Sequence, residues 1–160
     1  MVNALHGWII FFSFLISLML SVLPFPVGLQ WIWPAWVPLV LIYWCMTFPD
    51  RVGLGIAWII GLLLDLLQGS YLGVNALALL VVAYATHLLY RRLRMYRLLQ
   101  QALVILFLVT LNQLISQWPQ GFSGFNIRDL MFLIPSLASA LVWPWLLVIL
   151  RSLRCGAWIN

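Results

Sequence analysis

The sequence predicts an all-α membrane protein of six transmembrane helices, on three observations. Of its 160 residues, 66% are hydrophobic and only 7% are charged. A soluble domain carries roughly a quarter charged residues; a chain this apolar cannot hide its surface inside itself, so its solvent is lipid. The apolar residues also fall into six runs near spanning length, separated by turn chemistry. Finally, the 8 basic residues, all arginine, are segregated along the chain. The net charge of +5 therefore belongs to loops on one membrane face and not to a nucleic-acid surface.

The first run covers residues 7–23. It lacks a basic segment before it and a small-residue cleavage pattern after it, and "SVLPFP" follows, so it reads as a retained span and not a signal peptide. Ser13, Ser17 and Ser21 stand four apart on one face, a stripe that lets a neighbouring helix come close. The second run, 33–48, ends in "FPDRVG", where Asp50 is placed to cap the third run, 52–67. That third run reaches only about 24 Å as a helix, short of a 30 Å hydrocarbon core. Either the bilayer thins beside it or the following connection dips below the surface under cover of other helices. Ala57 and Gly61 form a second small-residue pair. The fourth run, 72–90, stops at "RRLRMYR"; the fifth, 98–117, stops at "WPQGFSGFN"; the sixth, 129–150, leads into a basic tail. Trp31, Trp33, Trp36, Trp118, Trp143 and Trp145 stand near the predicted ends, as an aromatic belt does. The whole chain, 1–160, reads as one integral membrane domain.

Threading the six runs back and forth from an inside N-terminus puts Arg51, Arg91, Arg92, Arg94, Arg97, Arg151 and Arg154 on the cytoplasmic side and only Arg128 outside. The positive-inside rule then places both termini in the cytoplasm. Arg91, Arg92, Arg94 and Arg97 are candidates for contact with anionic lipid, at about 1 kcal/mol each, or with an acidic cytoplasmic partner.

One carboxylate interrupts "GLLLDLLQGSYLG". A charge inside hydrocarbon is costly unless paired or solvated, so Asp65 needs a reason. The topology puts it toward the outer face, with Asn75 opening the fourth run and Thr110, Asn112, Gln113, Ser116 and Gln117 closing the fifth. The favoured reading is a staple: Gly69 ends one helix in a left-handed cap, Ser70 caps the next, and Asp65 sits near that helix's N–H groups and positive dipole end. Gly73 is read as a point of close helix approach. A staple needs acceptor oxygens, so an asparagine at 65 is expected to serve nearly as well. A contact to another protein and a proton or ion relay are the alternatives.

Catalytic chemistry finds no support: there is no paired carboxylate, phosphate cradle or nucleophile–base set that the topology gathers, and no cofactor is called for. Cys45 and Cys155 are far apart, and His6 and His87 are too few for a metal.

The ordered stretches "LPFP" at 23–26, "PAWVPLVLIYW" at 34–44, "FPDRVGLG" at 48–55, "GLLLDLLQGSYLGVNALAL" at 61–79, "AY" at 83–84, "QQALV" at 100–104 and "WPWL" at 143–146 carry a resemblance. In this order the chain resembles the rod shape-determining MreD family in its proteobacterial form. The resemblance implies a non-enzymatic inner-membrane subunit of the bacterial cell-elongation complex. It implies association with MreC, and around that pair the MreB filaments, the RodA glycosyltransferase and a class B penicillin-binding transpeptidase, working on peptidoglycan synthesis. It also implies a membrane fold like that of the substrate-binding subunits of energy-coupling-factor transporters. A vitamin-binding transporter subunit is therefore the competing expectation, with Asp65, Asn75 and Asn112 near its pocket.

Overall fold

The computed structural model describes residues 2–24, 26, 28, 32–69, 71–118 and 133–159. Among these are six helices: α1 (Val2–Val22), α2 (Trp36–Thr47), α3 (Leu54–Gln68), α4 (Val74–Met95), α5 (Leu98–Gln117) and α6 (Leu133–Ile159). Four of them, α1, α4, α5 and α6, are long and apolar enough to cross a membrane. The other two are shorter, α2 at 12 residues and α3 at 15. At 1.5 Å per residue they span about 18 Å and about 22 Å.

The centre of the bundle is α2. Ten consecutive residues, Val37 to Met46, are buried. A helix apolar on every face belongs inside, and α2 packs on α1, α4, α5 and α6. Its shortness is therefore met by protein and not by lipid. By contrast, α3 turns Trp58, Ile59, Leu63, Leu66 and Leu67 outward. Leu99, Leu141, Trp145 and Val148 on α5 and α6 are likewise exposed, as a lipid solvent allows.

Successive helices run in alternating directions. One end of the bundle gathers Ser21 near the end of α1, Val37 and Pro38 at the start of α2, Gln68 at the end of α3, Asn75 at the start of α4, Gln117 at the end of α5 and Pro135 at the start of α6. The opposite end brings the last turns of α2 and α4 together.

α3 and α4 approach each other closely at Gly61. A Cβ built on Gly61 would overlap the backbone of Ala76, lying 2.7 Å from its N and 3.0 Å from its Cβ. Ala57 is fully buried in the same helix. On α1, Ser13 and Ser17 are buried, and their hydroxyls donate to the carbonyls of Ile9 and Phe14 in their own helix.

The structure differs from the sequence expectations at several helix ends. Asp50 does not cap α3; that helix starts at Leu54, with Gly53 at the cap position and no side-chain bond there. The segment "RRLRMYR" is mostly not a break, because α4 continues through Arg91, Arg92 and Arg94 to Met95. Arginine is a good helix former, and cations suit a helix C-terminus, so the helix outlasts its apolar run. For the same reason α6 continues through Arg151 and Arg154. Trp143 is not a belt residue: it is fully buried, and its indole N–H donates to Gln101 Oε1 at 3.5 Å. Trp31 lies outside the described residues, as do Arg128 and Asp129.

Candidate functional site

The two helices joined at Gly69–Gly73 meet around Asp65, which is fully buried. Its backbone carbonyl accepts the Gly69 N–H and so closes α3. Its side chain then serves the next helix. Oδ2 accepts the Gly73 N–H at 2.9 Å and the Ala76 N–H at 3.4 Å, and Oδ1 accepts the Asn75 N–H at 3.1 Å. The start of any helix leaves four N–H groups without partners inside the helix. Here those of Gly73, Asn75 and Ala76 go to Asp65 and that of Val74 goes to the Tyr71 carbonyl, while the Leu77 N–H makes the helix's own first bond, to the Gly73 carbonyl. The first turn of α4 is thereby fully paired, and its positive dipole end faces a carboxylate.

Two glycines shape the connection. Gly69 has φ 64° and Gly73 has φ 97°, in the left-handed region that L side chains avoid. Gly73 is not a point of close approach: no atom lies within 4 Å of a Cβ placed there. Its requirement is conformational, and the close approach belongs to Gly61, one turn before Asp65. Ser70 lies outside the described residues, and the residue at the N-cap position of α4 is Gly73, with no cap bond of its own. The capping oxygen comes instead from the preceding helix.

Asn75 extends this junction sideways. Its Nδ2 donates to Gln68 Oε1 at 3.3 Å, and its Oδ1 lies 3.0 Å from the Ser116 hydroxyl. One amide thus ties α4 to α3 and α5. Asn75, Gln68, Asn112, Gln113, Ser116 and Gln117 line a cavity of about 390 Å³, closed on other sides by Ser21, Trp33, Pro34, Pro38 and Pro135. The pairs Asn112/Ser116 and Gln113/Gln117, each four apart, all reach it. Thr110 does not; its hydroxyl donates to the Leu106 carbonyl. Sequence reading missed Gln68, Ser21 and Trp33. Gln68 stands three residues after Asp65 on the same face of α3, which is the signal that could have found it.

Among the residues that line the cavity, Asn112 Oδ1 and Gln113 Oε1 are buried without a hydrogen-bond partner. Asn112 is only 8% exposed. A buried acceptor left unpaired costs about 1–3 kcal/mol, so these two amides are placed against local stability.

At the opposite end, Arg94 turns out to be committed within the protein. Its Nε donates to the Met46 carbonyl at 3.0 Å and an Nη to the Thr47 carbonyl at 2.9 Å, satisfying the last turn of α2. Arg94 nonetheless stays exposed, as do Arg91, Arg92 and Arg97, with the Arg91 guanidinium 5.8 Å from the centre of the Tyr90 ring. His87 is exposed against Tyr90. Among the described residues, no three His, Cys, Asp or Glu side chains stand close enough to hold a metal ion.

These features define a small, helical, multi-pass membrane protein with a polar junction between α3 and α4 and a cavity beside it lined by amide side chains. The sequence profile of the family described as rod shape-determining protein MreD matches residues 3–153. The rod shape-determining protein MreD of Haemophilus influenzae is 35% identical over 148 residues, covering 88% of this chain and 87% of that protein. The chain belongs to the MreD family, and with it to the proteins that determine rod cell shape. No solved structure matches it.

Proposed function

We propose that this chain is a non-enzymatic subunit of the bacterial cell-elongation machinery, seated in the inner membrane with both termini cytoplasmic and acting beside MreC. Its wider setting is the complex of MreB, RodA and a class B penicillin-binding transpeptidase that organises peptidoglycan synthesis. The observation that carries this reading is the family match from residue 3 to residue 153. In this proposal the chain is a single domain of six traverses, with an architecture like that of the energy-coupling-factor substrate subunits. The junction of Asp65, Gly69, Gly73 and Asn75, with Ser70 next to Gly69 in the sequence and Asn112 lining the adjoining cavity, holds the outer end of the bundle in shape for assembly. Arg91, Arg92, Arg94 and Arg97 rest on anionic lipid at the inner face.

The test is depletion of the protein in a rod-shaped host. Depleted cells become spheres, and MreC co-purifies with the tagged chain in mild detergent. Cells that stay rod-shaped but lose uptake of a vitamin would overturn the proposal in favour of the transporter alternative.

A further inference from the structure

A scaffold subunit needs no cavity, yet this bundle keeps one and lines it with two amides whose side-chain oxygens have no hydrogen-bond partner. Gln68 and Gln117 are exposed at its rim, while Asn112 is buried inside. The volume, about 390 Å³, falls in the range of small-molecule sites, roughly 300–1,000 Å³. None of the described lining residues carries a charge. A cationic or anionic ligand would therefore enter without a counter-charge, which a site shielded from water disfavours. What the walls offer is neutral: amide groups that both accept and donate, and the flat apolar surface of Trp33. Trp33 is fixed in place, since its indole N–H donates to the Leu20 carbonyl at 3.0 Å.

Going beyond the scaffold reading, we propose that the cavity at the Gly69–Gly73 end of the bundle binds a neutral, hydroxyl- and amide-bearing group of about the size of a sugar, held by Asn112 and Gln113. Such a group supplies the hydrogen-bond donors that Asn112 Oδ1 and Gln113 Oε1 lack. It reaches the site either as a free solute or as the headgroup of a lipid.

The probe is N-acetylglucosamine, which carries both hydroxyls and an amide, with glutamate and lysine as charged controls. The full chain is purified in lauryldimethylamine oxide, a detergent without a sugar headgroup, and binding is read by saturation-transfer NMR. A second arm places the chain in phosphatidylglycerol nanodiscs containing glucosyl diacylglycerol and reads transfer to the glucosyl protons. Transfer in either arm is expected, and the arm that responds identifies the source. In the double variant Asn112→Leu/Gln113→Leu, binding should weaken about tenfold or more, while the melting temperature holds or rises, because apolar groups replace unpartnered amides. If the double variant accumulates poorly, Gln113→Ala alone supplies the same readout. The absence of transfer in both arms means that the cavity holds water only, and overturns the proposal. Equal binding by the variants, binding of glutamate or lysine as strong as that of the sugar, or a clear fall in the melting temperature of the variants would overturn it also.

Discussion

Replacing Asp65 by leucine removes both acceptor oxygens at the start of α4. The Gly73 and Asn75 N–H groups lose bonds of 2.9 and 3.1 Å, and the Ala76 N–H loses a longer one of 3.4 Å. Each donor left unpaired in a buried site costs about 1–3 kcal/mol, and removing a carboxylate from a helix N-terminus costs about 0.3–1 kcal/mol more. Counting only the two short bonds and the dipole, Asp65→Leu loses about 2–7 kcal/mol. Asparagine is not the near-silent replacement that the sequence suggested, because both oxygens are engaged. It keeps one acceptor and turns an NH2 toward a backbone N–H, so Asp65→Asn should fall between wild type and leucine. In a chain of this size a kcal/mol shifts the melting temperature by about 2–4 °C. Thermal unfolding in a mild detergent should therefore show a fall of at least about 4 °C for leucine and a smaller fall for asparagine. A leucine variant that melts with wild type would refute the capping argument. A different outcome is also informative: if Asp65→Asn melted normally yet lost rod shape completely, the carboxylate's charge would matter and its helix-capping geometry would not.

Other predictions follow from the same contacts. Gly61→Ala must push α3 away from the Ala76 backbone, so it should cost about 1–3 kcal/mol and lower membrane abundance, whereas Gly55→Ala, in open space, should not. Arg94→Leu strips two carbonyls at the end of α2 of a charged donor and should lower the melting temperature, while Arg91→Leu should leave it unchanged; equal melting of the two would contradict the assignment. An alkaline phosphatase reporter should be inactive at the C-terminus and active after Ser70, and the reverse pattern would overturn the proposed orientation.

Much of the architecture was legible because lipid imposes one simple demand, an apolar run of sufficient length. That demand located the helices and exposed the shortness of α3. It did not locate helix ends, since hydropathy reports where lipid stops and α4 continues past it through Arg91, Arg92 and Arg94. Local capping rules failed for a related reason. They look for a cap within a residue or two, which favoured Ser70 and Asp50, whereas α4 takes its capping oxygens from Asp65, eight residues before Gly73, on another helix. Arg94 carried no sequence signal at all, since nothing in "RRLRM" separates a side chain aimed at α2 from one left to lipid. Gly61 and Gly73 also look alike as letters; only the fold shows that one is needed for space and the other for its dihedral angle.

The two committed charges sit at opposite ends of one helix. Asp65 grips the first turn of α4 from α3, and Arg94, about 28 Å further along at 1.5 Å per residue, grips α2 from its last turn. A strut fastened at both ends cannot slide by a helical turn past its neighbours without releasing both fastenings at once. Mechanically, α2, α3 and α4 therefore form a stator. A load placed on one end of this block is carried along α4 between its two fastenings, and α5 is joined to the same block through the Ser116 hydroxyl at Asn75 and the Gln101 amide, which donates to the Leu93 carbonyl.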